Sequence, residues 1–124
     1  MARLLANGRN RHTRHIRIDH SMLSCPAFRD LSGGAVKVLL HLASLDNGKN
    51  NGEIVLSVRQ AAEATGLTKN PAARALAELT DAGFIVPTSV GAFSVKVGPA
   101  ASTWRLTWVA WPGRSGPTMD FLTR

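Results

Sequence analysis

An amide and a guanidinium side chain, those of Asn70 and Arg74, stand one turn apart in a segment with helical periodicity. At about 100° per residue, Ala73 and Ala77 fall on the same side of this segment, and Lys69 lies at its margin. Asn and Arg form paired hydrogen bonds with adenine and guanine edges, and either can also bind phosphate. The small alanines would let the helix backbone approach a flat partner closely. The alternative is that Arg74 is an ordinary surface arginine on a small amphipathic helix.

The opposite side of this segment is apolar, as the buried face of a helix would be. Its members are Ala72, Ala75, Leu76, Leu79 and Ala82. Thr68 is a suitable N-cap, Pro71 falls in the first turn, where a missing N–H costs nothing, and Gly83 follows the last apolar residue. The pattern therefore predicts a helix over residues 69–82.

A shorter helix is predicted immediately before it. Ser57 can cap this helix and Gln60, three residues later, can close a capping box, so the helix begins at about Val58. Gly66 supplies the positive φ that a helix end needs, and Leu67 would fill the angle between the two helices. Two helices joined by a sharp turn form a helix-turn-helix pattern.

The segment LTKNPAARALAELTDAGFI resembles the second and third helices of bacterial winged-helix regulators. The matching positions are Leu67, Thr68, Lys69, Asn70, Arg74, Leu76, Leu79, Gly83, Phe84 and Ile85. The resemblance extends over about residues 26–108 and implies an α+β winged helix-turn-helix fold, with a three-helix core and a small antiparallel β wing. It also implies DNA binding. Pro71 and Ala77 stand where many members of this family carry Thr or Ser and Lys, so the surface that would contact bases is sparse.

The flanking residues predict a scaffold helix and the strands of the wing. Ser32 caps a predicted helix over residues 33–45, and the inner stripe of this helix is Val36, Leu39, Leu40 and Ala43, widened by Val38 and Leu42. Strands are predicted at residues 53–56, 85–88, 93–97 and 103–109. In the last strand Trp104, Leu106 and Trp108 share one face, and Arg105 and Thr107 share the other.

Composition agrees with one small basic domain. The 124 residues are 44% hydrophobic and carry a formal charge of +7, which predicts a polyanionic partner, either nucleic acid or an anionic membrane. The longest apolar run, AVKVLLHLASL, is too short to span a membrane, and the first residues do not form a signal peptide. The single cysteine, Cys25, forms no internal disulfide. We therefore expect a cytoplasmic, nucleoid-associated protein and no membrane partner.

Charge is concentrated near the N-terminus. Residues 1–27 contain Arg3, Arg9, Arg11, Arg14 and Arg17 against one acid, Asp19, a net charge of +4. We expect residues 1–18 to form a flexible basic arm, residues 19–111 the winged-helix domain and residues 112–124 a C-terminal tail. The tail would dock on the domain or on a second subunit. Apolar residues left for a dimer contact are Trp108, Trp111, Phe121 and Leu122.

The inventory of chemical motifs does not favour an enzyme. The sequence has no G-x-S-x-G, no glycine-rich phosphate loop before a helix and no paired carboxylates in an apolar setting. His12 and His15 have helical spacing but no third ligand nearby, so neither a metal nor a cofactor is expected.

The sequence predicts a sequence-specific, double-stranded DNA-binding protein, a homodimeric transcriptional regulator of bacterial or phage type. Helix 69–82 would enter the major groove, and Lys96 would lead the contacts from a wing over residues 85–109. The candidate DNA contacts are Arg9, Arg11, Arg14, Arg17, Ser57, Arg59, Thr68, Lys69, Asn70, Ala73, Arg74 and Lys96. One alternative is a DNA-binding module of a plasmid or phage replication or packaging system. Another is a winged helix that contacts proteins through Trp104, Trp108 and the tail.

Overall fold

The described part of the chain forms five helices and three short strands. The computed structural model describes residues 14–89 and 102–123. The helices are α1 His20–Leu23, α2 Pro26–Arg29, α3 Gly33–Leu45, α4 Val58–Thr65 and α5 Lys69–Asp81; the strands are β1 Ile54–Val55, β2 Ile85–Pro87 and β3 Thr103–Leu106; a 3-10 turn spans Asp120–Thr123. The predicted strand at 93–97 lies outside the described residues.

The helix ends follow the capping residues of the sequence. The Ala35 N–H donates to Ser32 Oγ at the start of α3. Ser57 and Gln60 form the predicted capping box of α4, and Gly66 ends that helix with a φ of 81°. Thr68 occupies the N-cap position of α5, but its side chain makes no capping hydrogen bond. Helix α5 ends one residue earlier than predicted.

The core lies where α3, α4 and α5 pack against one another and against one face of the sheet. Its α3 residues are Ala35, Val38, Leu39, Leu42 and Ala43. The stripe predicted for α3 was therefore partly wrong, because Leu40 is 42% exposed and Val36 is half-buried. The α3 sequence is apolar on almost every side, so periodicity alone could not determine which face turns inward. The apolar face predicted for α5 is confirmed.

The three strands form one antiparallel sheet in the order β1-β3-β2. Ile54 lies opposite Trp104, and Ile85 lies opposite Leu106, so their side chains face the core together. The strand β3 ends at Leu106, where the Thr107 hydroxyl donates to the Gly83 carbonyl at 2.8 Å. The sequence pattern had predicted that Trp108 continues the face of this strand. That prediction was wrong, because the strand ends two residues earlier.

Residues beyond β3 fold back onto the domain. The Met119 N–H donates to the Thr107 carbonyl at 2.8 Å. Phe121 is 3% exposed, and its ring stacks on that of Phe84 with centroids 4.6 Å apart. Of the two alternatives expected for the tail, the structure shows docking on the domain, because Phe121 belongs to the core and is not a free dimer contact. Leu122, at 61% exposure, does remain on the surface.

The helices and the sheet together confirm the predicted α+β winged-helix fold. Helix α5 packs on both α3 and α4, and the sheet closes the far side of this three-helix core. One face of α5 remains uncovered.

Candidate nucleic-acid interface

The uncovered face of α5 carries polar side chains that make no contact by hydrogen bond or ion pair with the other described residues. Lys69, Asn70, Ala73, Arg74 and Ala77 are all exposed. Within the described part of the chain, the three polar side chains among them have no hydrogen bond and no ion pair. Four residues of helix separate the amide from the guanidinium by about 6 Å along the axis. That spacing suits contact with neighbouring base pairs or with a base and a phosphate.

Charge along α5 runs from positive to negative. Lys69 and Arg74 lie in its N-terminal half, and Glu78 and Asp81 lie in its C-terminal half. The helix dipole adds partial positive charge at the N-terminus, so both effects favour a polyanion there. Asp81 would repel phosphates at the other end. The N-terminal half of α5 is therefore the part of the helix suited to nucleic acid.

The turn before α5 adds a further polar group. Thr68 is exposed, and its hydroxyl is not used as a cap. It lies beside the first N–H groups of α5, which have no partner within the helix. Arg59, at the second position of α4, is exposed and also makes no hydrogen bond or ion pair within the described residues. Thr68 thus extends the surface formed by the N-terminal half of α5, and Arg59 adds an exposed basic residue on the first helix of the helix-turn-helix.

Ser57 has a different role from the one predicted. Its side chain is 9% exposed and accepts the Gln60 N–H at 3.1 Å, while the Gln60 side chain accepts the Ser57 N–H at 2.9 Å. Ser57 is therefore a helix cap and not an exposed donor. The three-residue spacing of Ser57 and Gln60, which predicted the capping box, already indicated that the Ser57 side chain is used as a cap.

Glu78 fixes α5 against the start of α3. The Ser32 N–H and the Ser32 hydroxyl both donate to the Glu78 carboxylate, at 2.7 and 2.8 Å. Because Ser32 is the N-cap of α3, one carboxylate joins the capping residue of the scaffold helix to the helix that carries the candidate contacts. Sequence periodicity gave no sign of this contact.

The basic arm joins the domain away from the helix-turn-helix. Gly34, near the start of α3, packs against Leu67 of the turn between α4 and α5. Arg14 instead borders a hollow with Ala43 and Asp46 at the other end of α3, which is about 20 Å long. Arg14 and Arg17 are exposed. The structure does not bring them together with the α5 residues; Arg9, Arg11 and Lys96 lie outside the described residues.

A family model for helix-turn-helix domains matches residues 29–85. This range covers α3, α4 and α5 and ends where β2 begins. This part of the chain is similar to helix-turn-helix domains. The resemblance inferred from the sequence is thereby confirmed, and DNA binding is the general role of this motif. No significant match was found among curated proteins or among solved structures.

Two buried polar residues outside the helix-turn-helix have partners that the sequence did not indicate. Asn51 is buried; its amide donates to the Leu106, Val109 and Ala110 carbonyls and accepts the Leu106 N–H. Arg105 was predicted on the strand face opposite Trp104; it is 8% exposed and lies beside the Trp111 ring. The Pro-Gly pair after Trp111 was the available signal that the chain turns back there.

Two negative findings apply to the described residues alone. They include no group of three His, Cys, Asp or Glu side chains placed to hold a metal ion. None of their helices has the length and apolar character needed to cross a membrane.

Proposed function

We propose that this protein binds double-stranded DNA sequence-specifically and places the N-terminal half of α5 in the major groove. The observation that supports this most directly concerns Lys69, Asn70 and Arg74, on the second helix of the helix-turn-helix. Their side chains are exposed and have no hydrogen bond or ion pair among the described residues. In this docking geometry, the first residues of the recognition helix contact base edges. Thr68 and Arg59 would hold flanking phosphates.

The proposed biological role is transcriptional regulation, without catalysis, in the cytoplasm and on the nucleoid. A plasmid or phage replication or packaging module would use the same helices in the same way. A genome-wide map of bound sites separates the two roles, because a regulator occupies promoters and a replication or packaging module occupies an origin or a packaging site. The protein-contact alternative has less support, since Trp104 lies in the core and its indole N–H donates to the Leu56 carbonyl.

We also propose that the protein binds DNA as a homodimer. One helix-turn-helix contacts about half of a symmetric operator, and two copies place their recognition helices roughly 34 Å apart on one side of the duplex. Exposed Leu122 and Ile16 border the same hollow and are the apolar residues proposed for the contact. Sedimentation at micromolar concentration, with and without DNA, tests this proposal, and a monomer in both conditions would exclude it.

Substitution of Arg74 tests the recognition surface. Arg74→Ala should lower affinity for the preferred site by about 1 to 3 kcal/mol, because one bidentate base contact or one phosphate contact is lost. The fold should remain, since Arg74 is exposed and outside the core. Binding isotherms on a site selected from random duplexes give the affinity, and thermal melting gives the stability.

Arg29→Ala provides the charge-matched control. Arg29 lies on α2, and its guanidinium donates to the Ser24 carbonyl of its own segment at 3.2 Å. This control should lower affinity less than twofold at the same salt concentration. Equal affinities for the Arg74 variant and the unmodified protein would remove Arg74 from the recognition surface. Equal losses in both variants would show that charge alone, and not base contact, accounts for binding.

A further inference from the structure

The outer face of the sheet carries a polar pocket that is separate from α5. Ile54, Trp104, Ile85 and Leu106 face the core, so the alternate residues of the strands point outward. The residues that matter in this outer-face pocket are Lys49, Thr88, Thr103, Arg105, Trp111 and Arg114. They come from the loop before β1, from the residue after β2, from β3 and from the turn after β3.

Two guanidinium groups meet at one indole in this pocket. The Arg105 and Arg114 guanidinium carbons lie 4.6 and 4.8 Å from the centre of the Trp111 ring. Arg114 and Lys49 are exposed and have no ion pair within the described residues. The Trp111 indole N–H has no hydrogen bond there either. The pocket therefore concentrates positive charge and unused donors.

Arg105 supplies the strongest indication that an acceptor is missing. Its Nη1 donates to Thr118 Oγ1 at 2.9 Å, and its Nη2 lies 3.9 Å from the Asp120 carboxylate, which is too far for a hydrogen bond. Its Nε is the one buried side-chain nitrogen or oxygen, among the residues that the structure describes, without a hydrogen-bond partner. Buried donors without an acceptor are rare in folded proteins.

The remaining polar groups limit what the ligand can be. The Thr88 hydroxyl bonds the Gly52 carbonyl and the Thr103 hydroxyl, each at 2.7 Å, so these hydroxyls are already engaged. The carboxylates are Glu53, which lines the pocket, and Asp120 beside Arg105. Together with the three basic side chains, Lys49, Arg105 and Arg114, these two carboxylates give the pocket a net charge of +1. A ligand that only accepts hydrogen bonds and carries negative charge fits these donors.

We propose that the outer-face pocket binds a phosphate group. Guanidinium groups bind phosphate with charge-assisted hydrogen bonds, and the Lys49 ammonium adds a point charge. The phosphate belongs either to the DNA backbone or to a small phosphorylated ligand. Because the pocket and α5 use different residues, this binding does not depend on the recognition surface.

Nuclear magnetic resonance of the full chain tests the proposal with inorganic phosphate as the probe. Phosphate added at constant ionic strength, with chloride as the reference anion, should shift the Trp111 indole N–H and the Arg105 Nε–H signals in a saturable way. Arg105→Lys serves to assign the second signal. The double substitution Lys49→Gln and Arg114→Gln should weaken phosphate binding at least tenfold. Arg29→Gln, on α2, is the control for loss of a positive charge elsewhere and should leave binding unchanged.

A second measurement identifies the source of the phosphate. If the pocket holds a DNA phosphate, the double substitution should also make the slope of log affinity against log salt shallower by about 0.9, the effect of one lost contact. An unchanged slope, together with saturable binding of free phosphate, assigns the pocket to a small phosphorylated ligand. Either result supports the phosphate site. Shifts that do not saturate, that chloride reproduces, or that the double substitution leaves intact would overturn it.

Discussion

The contact between Ser32 and Glu78 predicts a measurable coupling between the scaffold helix and the recognition helix. Glu78→Ala removes the two hydrogen bonds that Ser32 donates, at 2.7 and 2.8 Å. Hydrogen bonds to charged groups contribute about 1.5 to 3 kcal/mol when buried, and solvent screening lowers this at the exposed Ser32. We expect Glu78→Ala to lower the free energy of unfolding by about 1 to 2 kcal/mol.

Ser32→Ala isolates one of these bonds. It removes the hydroxyl that donates to Glu78 and the cap that accepts the Ala35 N–H, but it keeps the backbone N–H that donates to the carboxylate. Loss of an N-cap costs about 0.5 to 2 kcal/mol, so the single variant should lose about 1 to 2.5 kcal/mol in all. In a double-mutant cycle the hydroxyl–carboxylate bond should appear as a coupling of about 0.5 to 1 kcal/mol.

Urea unfolding followed by tryptophan fluorescence measures the four free energies of the cycle. Glu63→Ala is the control, because Glu63 is an exposed helical glutamate with no hydrogen bond or ion pair among the described residues. It should change stability by less than about 0.5 kcal/mol. A coupling indistinguishable from zero would refute the reasoning, even if both single variants were destabilised, because each could then act through its own helix alone.

Three further predictions concern residues outside this contact. Asn51→Ala leaves the Leu106 N–H and carbonyl without their amide partner, so we expect a loss of about 2 to 4 kcal/mol in urea unfolding, and a loss under 1 kcal/mol would contradict this account. Phe121→Ala empties a core position against Phe84 and should cost about 3 to 5 kcal/mol, whereas Leu122→Ala, on the surface, should cost little. Deletion of residues 1–13 removes three arginines and should make the slope of log DNA affinity against log salt shallower by up to about 3, with the preferred sequence unchanged; an unchanged slope would exclude phosphate contacts by these residues.

The sequence was most informative where a local signal fixes a local structure. Ser57 and Gln60 determine the start of α4, and Gly66 determines its end, because capping boxes and positive φ values depend on residues a few positions apart. The inner face of α5 was predictable since its apolar residues recur with one clear period. These signals sufficed for the helix-turn-helix and for its exposed side chains.

The sequence was least informative where distant segments meet. Nothing near Phe121 indicates that its ring stacks on Phe84, and nothing near Arg105 indicates that Trp111 will cover it. The sequence therefore left open whether the apolar residues near the C-terminus dock on the domain or on a second subunit, and the structure shows that Phe121 completes the core. Gly52 illustrates both cases. Its φ of 98° belongs to a local turn, which the sequence indicates, but the Trp111 indole that packs against it comes from a distant part of the chain.

The distribution of charge separates affinity from specificity in the proposed function. The described residues contain ten of the fifteen basic residues and all eight acidic residues, a net charge of +2 out of +7. The domain alone therefore attracts a polyanion weakly, and most of the excess positive charge belongs to the other residues, mainly the arginines near the N-terminus. Phosphate contacts set the strength and salt dependence of binding without selecting a sequence, whereas contacts to base edges select it. Asn70 and Arg74 are the side chains of α5 best suited to contact base edges, so sequence discrimination should rest on them. The arginines of the arm should determine how tightly DNA of any sequence is bound.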